Sequence, residues 1–277
     1  MLTAAVRGAP LPEAVSAIGI GCPGPLDQQS GTVLAPPNLP RWDRFPLAAE
    51  LHSALGVPVA LENDANAGAL GEALHGAAQG FGTALYLTVS TGLGAGIVIN
   101  GRIHRGAFGL AGEVWAFAPA AFEGASGDNL IALCSGNGLV ARAERLIRAG
   151  RATTIPRDAV TAPAILRAFA AGDPLARELV AAARQALAAT VAFSLHLLAP
   201  DIVVLGGGLC RDESWFVAPL PSLVHAHLGI EALRLALAYE YDPYFSLSIA
   251  RVDPLPHQLE AVYDYFIKLP RIRFLLA

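Results

Sequence analysis

Glu62-Asn63-Asp64-Ala65-Asn66 is the stretch on which the reading of this chain turns. Before it, Val57 to Leu61 is short and apolar, the pattern of a buried strand. After it, Ala65 to His75 is rich in alanine and closes at Gly76, the pattern of a helix with a glycine stop. A polar turn between a strand and a helix places Asn63 and Asp64 where free N–H groups and the helix dipole favour a carboxylate. Asp64 reads in two ways: as the cap of the helix, or as a carboxylate that accepts the proton of an attacking hydroxyl, with Asn63 donating to and accepting from neighbouring hydroxyls.

Working outward, Val15 to Gly21 is β-prone and stops at Cys22-Pro23-Gly24-Pro25, so a strand should lead into a loop. Leu47, Leu51 and Leu55 recur at helical spacing up to Gly56. Leu85, Leu87 and Val89 alternate as in a strand, Ile97 to Ile99 is strand-like, and Asn100-Gly101 after it predicts a hairpin turn. Ala164 to Gly172 and Pro174 to Leu198 read as helices, and Asp201 to Leu205 as a strand running directly into Gly206-Gly207-Gly208. Leu255 to Ile267 is a candidate closing helix. Strands alternating with helices, with glycine loops at strand ends, define an α/β fold.

Thr91-Gly92-Leu93-Gly94-Ala95-Gly96 has the glycine spacing of a dinucleotide fingerprint, but that motif must open a helix and here a strand follows. A glycine hairpin headed by a threonine hydroxyl instead brings backbone N–H groups close to phosphate oxygens, or is a plain turn. Gly206, Gly207 and Gly208 leave room for a flat adenine or its ribose against the backbone, or simply make a tight turn.

The composition sets limits. In 277 residues, 54% hydrophobic and 15% charged, there is material for a large core. A net charge of -4 with scattered Lys and Arg supplies no field for gripping a nucleic acid, so none is expected as a partner of this chain alone. Cys22, Cys134 and Cys210 form no CxxC pair, which suits a reducing, cytoplasmic setting. Ala186 to Ala199 is the most apolar stretch, but it is shorter than the ~20 residues a bilayer requires and is broken by Thr190, Ser194 and His196, so no membrane association is expected. His225 and His227 lack a third ligand nearby. Trp42, Trp115 and Trp215 could each stack on a flat ligand face, though a large aromatic is more often part of the core. Arg105 reads either as a phosphate contact or as a solvated loop charge.

Taken together, Gly19 to Pro25, Pro37-Asn38-Leu39, Glu62 to Asn66, Thr91 to Gly96, Arg105-Gly106, Ala111-Gly112-Glu113 and Val204 to Gly208 resemble the ROK family of sugar kinases and sugar-responsive repressors, over most of residues 15 to 210. The resemblance implies an actin-like ATPase (ribonuclease H-like) fold of two lobes, a partial first lobe at 1-78 (with a closing helix in 255-277) and a second at 79-254. It implies Asp64 as the catalytic base and Asn38, Asn63, Asp64 and Glu113 as sugar contacts. Thr91, Gly92, Gly94, Gly206, Gly207 and Gly208 would meet ATP, with Mg²⁺ arriving on the nucleotide. A hexose or N-acetylhexosamine is the implied substrate and a homodimer the implied assembly.

The chain departs from the family pattern. The family's opening strand and Asp-x-Gly-Gly-Thr loop are not seen ahead of Val15, which implies impaired turnover, since positioning is most of phosphoryl-transfer catalysis. Ala116 stands where the family has a zinc- and sugar-binding His, Phe117 to Leu133 contains no cysteine, and Ile131 stands at a sugar-binding Glu position, so no structural zinc is expected. Two readings stay open: an ATP-dependent hexose or hexosamine kinase, and a non-catalytic sugar-sensing regulator.

Overall fold

A computed structural model of the chain describes residues 15–36, 41–116, 128–212 and 214–229. The chain up to His227 clusters as one compact unit; a second unit begins at Leu228 and, apart from Leu228 and Gly229, lies outside the described residues, as does the closing helix expected at 255–267.

Strand β1 (Ile18–Cys22) pairs in parallel with β4 (Val59–Asn63), so that Cys22 and Asn63 stand in register at the same end. Between them β2 (Leu26–Asp27) and β3 (Thr32–Val33) make a small antiparallel ribbon, and α1 (Leu47–Leu55) buries Leu47 and Leu51 on a cluster with Cys22, Val33 and Leu61. The expected stop of α1 is in place: Gly56 takes φ 73° and its N–H bonds to His52 O at 2.8 Å.

Helix α2 (Asp64–His75) follows β4 without a connecting residue. The four-stranded sheet beyond it has the order β7 (Arg102–Ile103), β6 (Leu93–Ile99), β5 (Thr83–Val89), β8 (Ile202–Gly206). Strands β5 (Thr83–Val89) and β6 (Leu93–Ile99) form a hairpin, and Asn100 and Gly101, both at positive φ, turn β6 into β7 (Arg102–Ile103) as Asn-Gly predicts. Strand β8 (Ile202–Gly206) runs parallel to β5, with Asp201 clamping the start of β5 through a 2.8 Å bond from the Thr83 N–H.

Small residues decide how α2 meets this sheet. A Cβ built on Gly96 would lie 2.6 Å from Ala69 Cβ and 2.7 Å from the Ala65 carbonyl oxygen, and one on Gly94 would lie 3.0 Å from Ala65 Cβ. From the helix side, a Cβ on Gly68 would fall 2.8 Å from the Tyr86 ring. Glycines that read as a phosphate loop in the sequence are thus also what lets a helix of alanines lie close on β6.

Helices α3 (Leu130–Cys134), α4 (Gly136–Arg148), α5 (Ala162–Ala170) and α6 (Pro174–Leu198) build the remaining core, where Leu130, Leu133, Leu139, Ile165, Leu175, Leu179 and Leu187 are fully buried. Each of the last three carries a side-chain N-cap, from Ser135, Thr161 and Asp173 respectively. Helices α3 and α4 have no counterpart in the sequence reading, because Gly136-Asn137-Gly138 at the head of α4 looks like loop. Among the described residues α6 is the one helix long and apolar enough to cross a membrane, but half of its apolar stretch is buried in the protein, and Thr190 and Ser194 satisfy their hydroxyls on Ala186 O and Thr190 O within the helix. It is a core helix.

Two predictions follow from this packing. Gly96→Ala should destabilise the protein by ~1–3 kcal/mol through the clash with α2, while Gly92→Ala, with nothing within 4 Å, should stay within about 0.5 kcal/mol of the wild type in urea unfolding. Burial pushes the carboxyl of Asp173 upward, but N–H groups of Thr154 and Ala176 and the hydroxyls of Thr153 and Thr154 outweigh it and hold it below the ordinary carboxylate range. Its contribution is therefore complete above the unfolded value of about 3.9 and is lost as pH falls through the lower folded value. Asp173→Asn should cost ~1–3 kcal/mol at neutral pH, and urea midpoints should show the deficit shrinking below about pH 4.

Candidate functional site

The parallel ends of β1 and β4 carry the first half of the site. Asn63 ends β4 and caps α2: its Oδ1 accepts the N–H of Ala65 at 2.9 Å and of Asn66 at 3.2 Å. Asp64, the first residue of α2, is exposed, and its Oδ1 accepts the Ala65 N–H at 2.9 Å. Among the described residues its Oδ2 accepts no hydrogen bond. The helix thus has its cap in Asn63, and Asp64 is left with a carboxylate oxygen open to solvent. That separates two roles the sequence left entangled. Gly21 runs under Asp64, where an added Cβ would sit 3.6 Å from the Asp64 Cα. Burial, reinforced by the Asp64 carboxylate, raises the Cys22 thiol above its ordinary value, so Cys22 stays protonated.

The second half lies at the matching end of β5 and β8. Thr91 and Gly92 sit in the turn between β5 and β6, with Thr91 exposed and Gly92 facing open space. The head of α4 holds this turn from behind: the N–H of Gly136 bonds to Ser90 O at 2.7 Å and that of Asn137 to Thr91 O at 3.1 Å. Gly206, Gly207 and Gly208 leave β8 beside it. Gly207 takes φ 95° against the Val89 carbonyl, and an added Cβ on Gly208 would lie 3.5 Å from Ser90 Oγ. Thr91, Gly92 and the three glycines therefore converge on one end of the sheet, at the C-termini of β5 and β8. Gly94 differs, because Ala65 fills the space over it. The same contact ties the halves together: Ala65 adjoins Asp64, and Thr91 lies within ~11 Å of Gly94 along the chain.

Glu113 is placed differently. It is exposed, in a turn where Gly112 at φ 90° lies against the Ala95 carbonyl. It borders a cavity of about 410 Å³ with Leu85, Ile97, Leu110, Val114 and Thr190, on the face of β5 and β6 turned away from α2. Trp115, 44% exposed, follows in a short 3₁₀ turn. Asn38 and the segment 117–127 lie outside the described residues. Among the described residues no three His, Cys, Asp or Glu side chains gather to hold a metal. Cys134 and Cys210 are buried and free, and burial pushes the Cys210 thiol up to about 11.

Sequence reasoning missed the partner of Arg105. Its guanidinium forks onto Glu62, with Nε 3.1 Å from Oε2 and a second donor, Nη2, on the same oxygen. Burial alone would raise the Glu62 carboxyl, but Arg105 and the donors on Asn63 and Asn66 outweigh it and hold it below the usual range. Opposite charges 43 positions apart leave no local signal of such a pair.

Known proteins share this arrangement. A profile of the ROK family matches residues 3–235. The xylose repressor of Caldicellulosiruptor bescii is 44% identical over 115 residues, 41% of this chain and 29% of the repressor, so the chain spans less than a third of that relative. The glucokinase of Thermotoga maritima is 34% identical over 218 residues, covering 73% of this chain and 67% of the enzyme. Among solved structures, a ROK family glucokinase from Streptomyces griseus in complex with glucose and AMPPNP superposes with a TM-score of 0.66 at 32% identity, covering 80% of this chain and 75% of that one. These neighbours have the actin-like ATPase fold, which the mixed α/β arrangement described above shares. With a match over most of its length to that profile, the chain belongs to the ROK family.

Proposed function

We propose that this chain binds a hexose or N-acetylhexosamine at the Asn63–Asp64 turn and ATP at the Thr91–Gly92 turn and Gly206 to Gly208, as a sugar kinase. The observation that carries the reading is the solvent-open carboxylate oxygen of Asp64, set on a helix start that Asn63 already caps. A sugar hydroxyl hydrogen-bonded to that oxygen gives up its proton to Asp64 as its own oxygen forms the bond to the γ-phosphorus and ADP leaves. The residues present suit the nucleotide: the Thr91 hydroxyl is exposed, Gly92 admits close approach, and the carbonyls of Ser90 and Thr91 are drawn back by α4, away from phosphate oxygens. Bound ATP supplies the phosphoryl group, and its Mg²⁺ neutralises charge. In this reading 1–78 carries the base and 79–254 the phosphate contacts, and the protein works as a cytoplasmic homodimer. Asn38 and Glu113 belong to the sugar side.

A second reading, a sugar-sensing regulator that uses the same sugar site without turnover, is favoured by the 44% identity to a xylose repressor.

The test is Asp64→Asn. Because Asn63 supplies the cap, thermal unfolding should barely move. ADP production in a coupled assay with glucose or N-acetylmannosamine should fall ~10²–10⁴-fold while calorimetric sugar affinity stays within a small factor. Unchanged turnover removes Asp64 from the chemistry. Hexose binding by a wild-type chain that forms no ADP decides for the regulator. Asn63→Ala, by contrast, should lose ~1 kcal/mol of stability with the cap, along with sugar affinity.

A further inference from the structure

The main chain and the side chain of Arg105 each hold a different segment of the proposed sugar site. Its carbonyl accepts the N–H of Ala111 at 3.1 Å, which folds the Ala111-Gly112-Glu113 turn back on the loop; the Glu113 N–H then closes on Leu110 O at 3.2 Å. Gly106, at φ 68°, makes that fold possible, and a Cβ built on it would touch Ala111 Cβ at 3.4 Å. Its guanidinium reaches the other way and forks onto Oε2 of Glu62.

The other oxygen of Glu62 continues the chain of contacts. Oε1 accepts the Asn63 N–H at 3.0 Å and the Asn66 amide at 3.1 Å. Asn66 is 4% exposed and among the described residues its Oδ1 has no partner, so the Glu62 bond holds that side chain in the first turn of α2. The Glu62 side chain is only 17% exposed. A half-buried carboxylate is steadied by a cation, and the guanidinium places two donors on one of its oxygens where an ammonium would place a single point charge. Without Arg105, Glu62 would gain by rotating toward water and would release both Asn63 and Asn66.

We propose that Arg105 is a positioning residue that sets the Asn63–Asp64 turn, through Glu62, against the Glu113 turn, so that two sugar-contacting segments far apart in the chain are held in one register. The inference rests on the sugar-site reading above for its functional meaning, but the clamp itself can be tested without sugar.

Amide hydrogen exchange, followed by NMR on the full chain without ligand, is the first arm. The Asn63 N–H reports the Glu62 carboxylate directly and the Ala111 N–H reports the Arg105 carbonyl. Arg105→Met should speed exchange at Asn63, Ala65 and Asn66 and at Ala111 and Glu113 by ~5–30-fold, the range that loss of one or two kcal/mol produces, with β5 and β8 unchanged. Arg105→Lys should restore part of the protection at Ala111 and little at Asn63 and Asn66. Adding Glu62→Gln to Arg105→Met should change exchange at Asn63 little beyond the single variant, as two members of one network require. Unaltered exchange at Asn63 and Asn66 in Arg105→Met overturns the clamp, as does an equal rise throughout β5 and β8, which would mark general destabilisation. Calorimetry with glucose and N-acetylmannosamine is the second arm: Arg105→Met should weaken the sugar ~5–30-fold with a melting temperature close to wild type. Raised exchange with undiminished sugar affinity overturns the positioning role. A wild-type chain that binds neither sugar sinks the sugar-site reading instead, and the exchange arm still decides the clamp.

Discussion

The close seat of α2 on β6 is the contact on which the rest depends. Two glycines on the strand facing a glycine and alanines on the helix let the layers approach until Ala65 and Asn66 lie against the strand backbone. That distance sets where α2 begins relative to the turn from β5 to β6. It therefore sets where Asp64 stands relative to Thr91. Interiors pack at crystal-like density, so an added methyl here displaces the helix. A displaced helix carries the candidate base with it.

Two separate sheets each contribute one end to the candidate site. The parallel pair β1 and β4 delivers Asn63 and Asp64, and the parallel pair β5 and β8 delivers the glycine turns. Parallel strands place their following loops on the same side, which is why open α/β sheets bind ligands there. The N-terminus of α4 adds a brace: its first N–H groups are used on the carbonyls of Ser90 and Thr91. Glycine is needed at 138 for the same brace, since a Cβ there would fall 2.4 Å from the Ala132 carbonyl oxygen. The polar network at Glu62 serves a similar end at the start of α2. A half-buried carboxylate shared by an arginine, a backbone N–H and a buried amide stiffens the first turn of α2 more than any one of those bonds would.

Much of this was readable from the residues alone. Gly56 as a helix stop, Asn100-Gly101 as a hairpin, the strand and helix flanking Glu62 to Asn66 and the long helix from Pro174 all depend on local chemistry, on φ available to glycine, on caps and on hydrophobic period, and these act within a few residues. Family membership was readable for the same reason: it is carried by short, ordered segments such as Glu62 to Asn66 and Ala111 to Glu113.

Other features were settled by tertiary contact. Asn63, not Asp64, caps α2, because the strand runs on through Asn63 and the choice between adjacent cap residues depends on where β4 ends. Gly94 and Gly96 look identical to Gly92 in sequence, but a helix lies over the first two and solvent over the third. The fork from Arg105 to Glu62 joins charges that no local pattern relates, since side chains 43 positions apart meet only when the sheet and α2 have been assembled. Sequence alone determined many of the elements, though not α3 and α4, and the family they serve, because backbone preference is local. Which of their residues touch was decided by packing, because burial and the direction of a side chain are properties of the assembled chain.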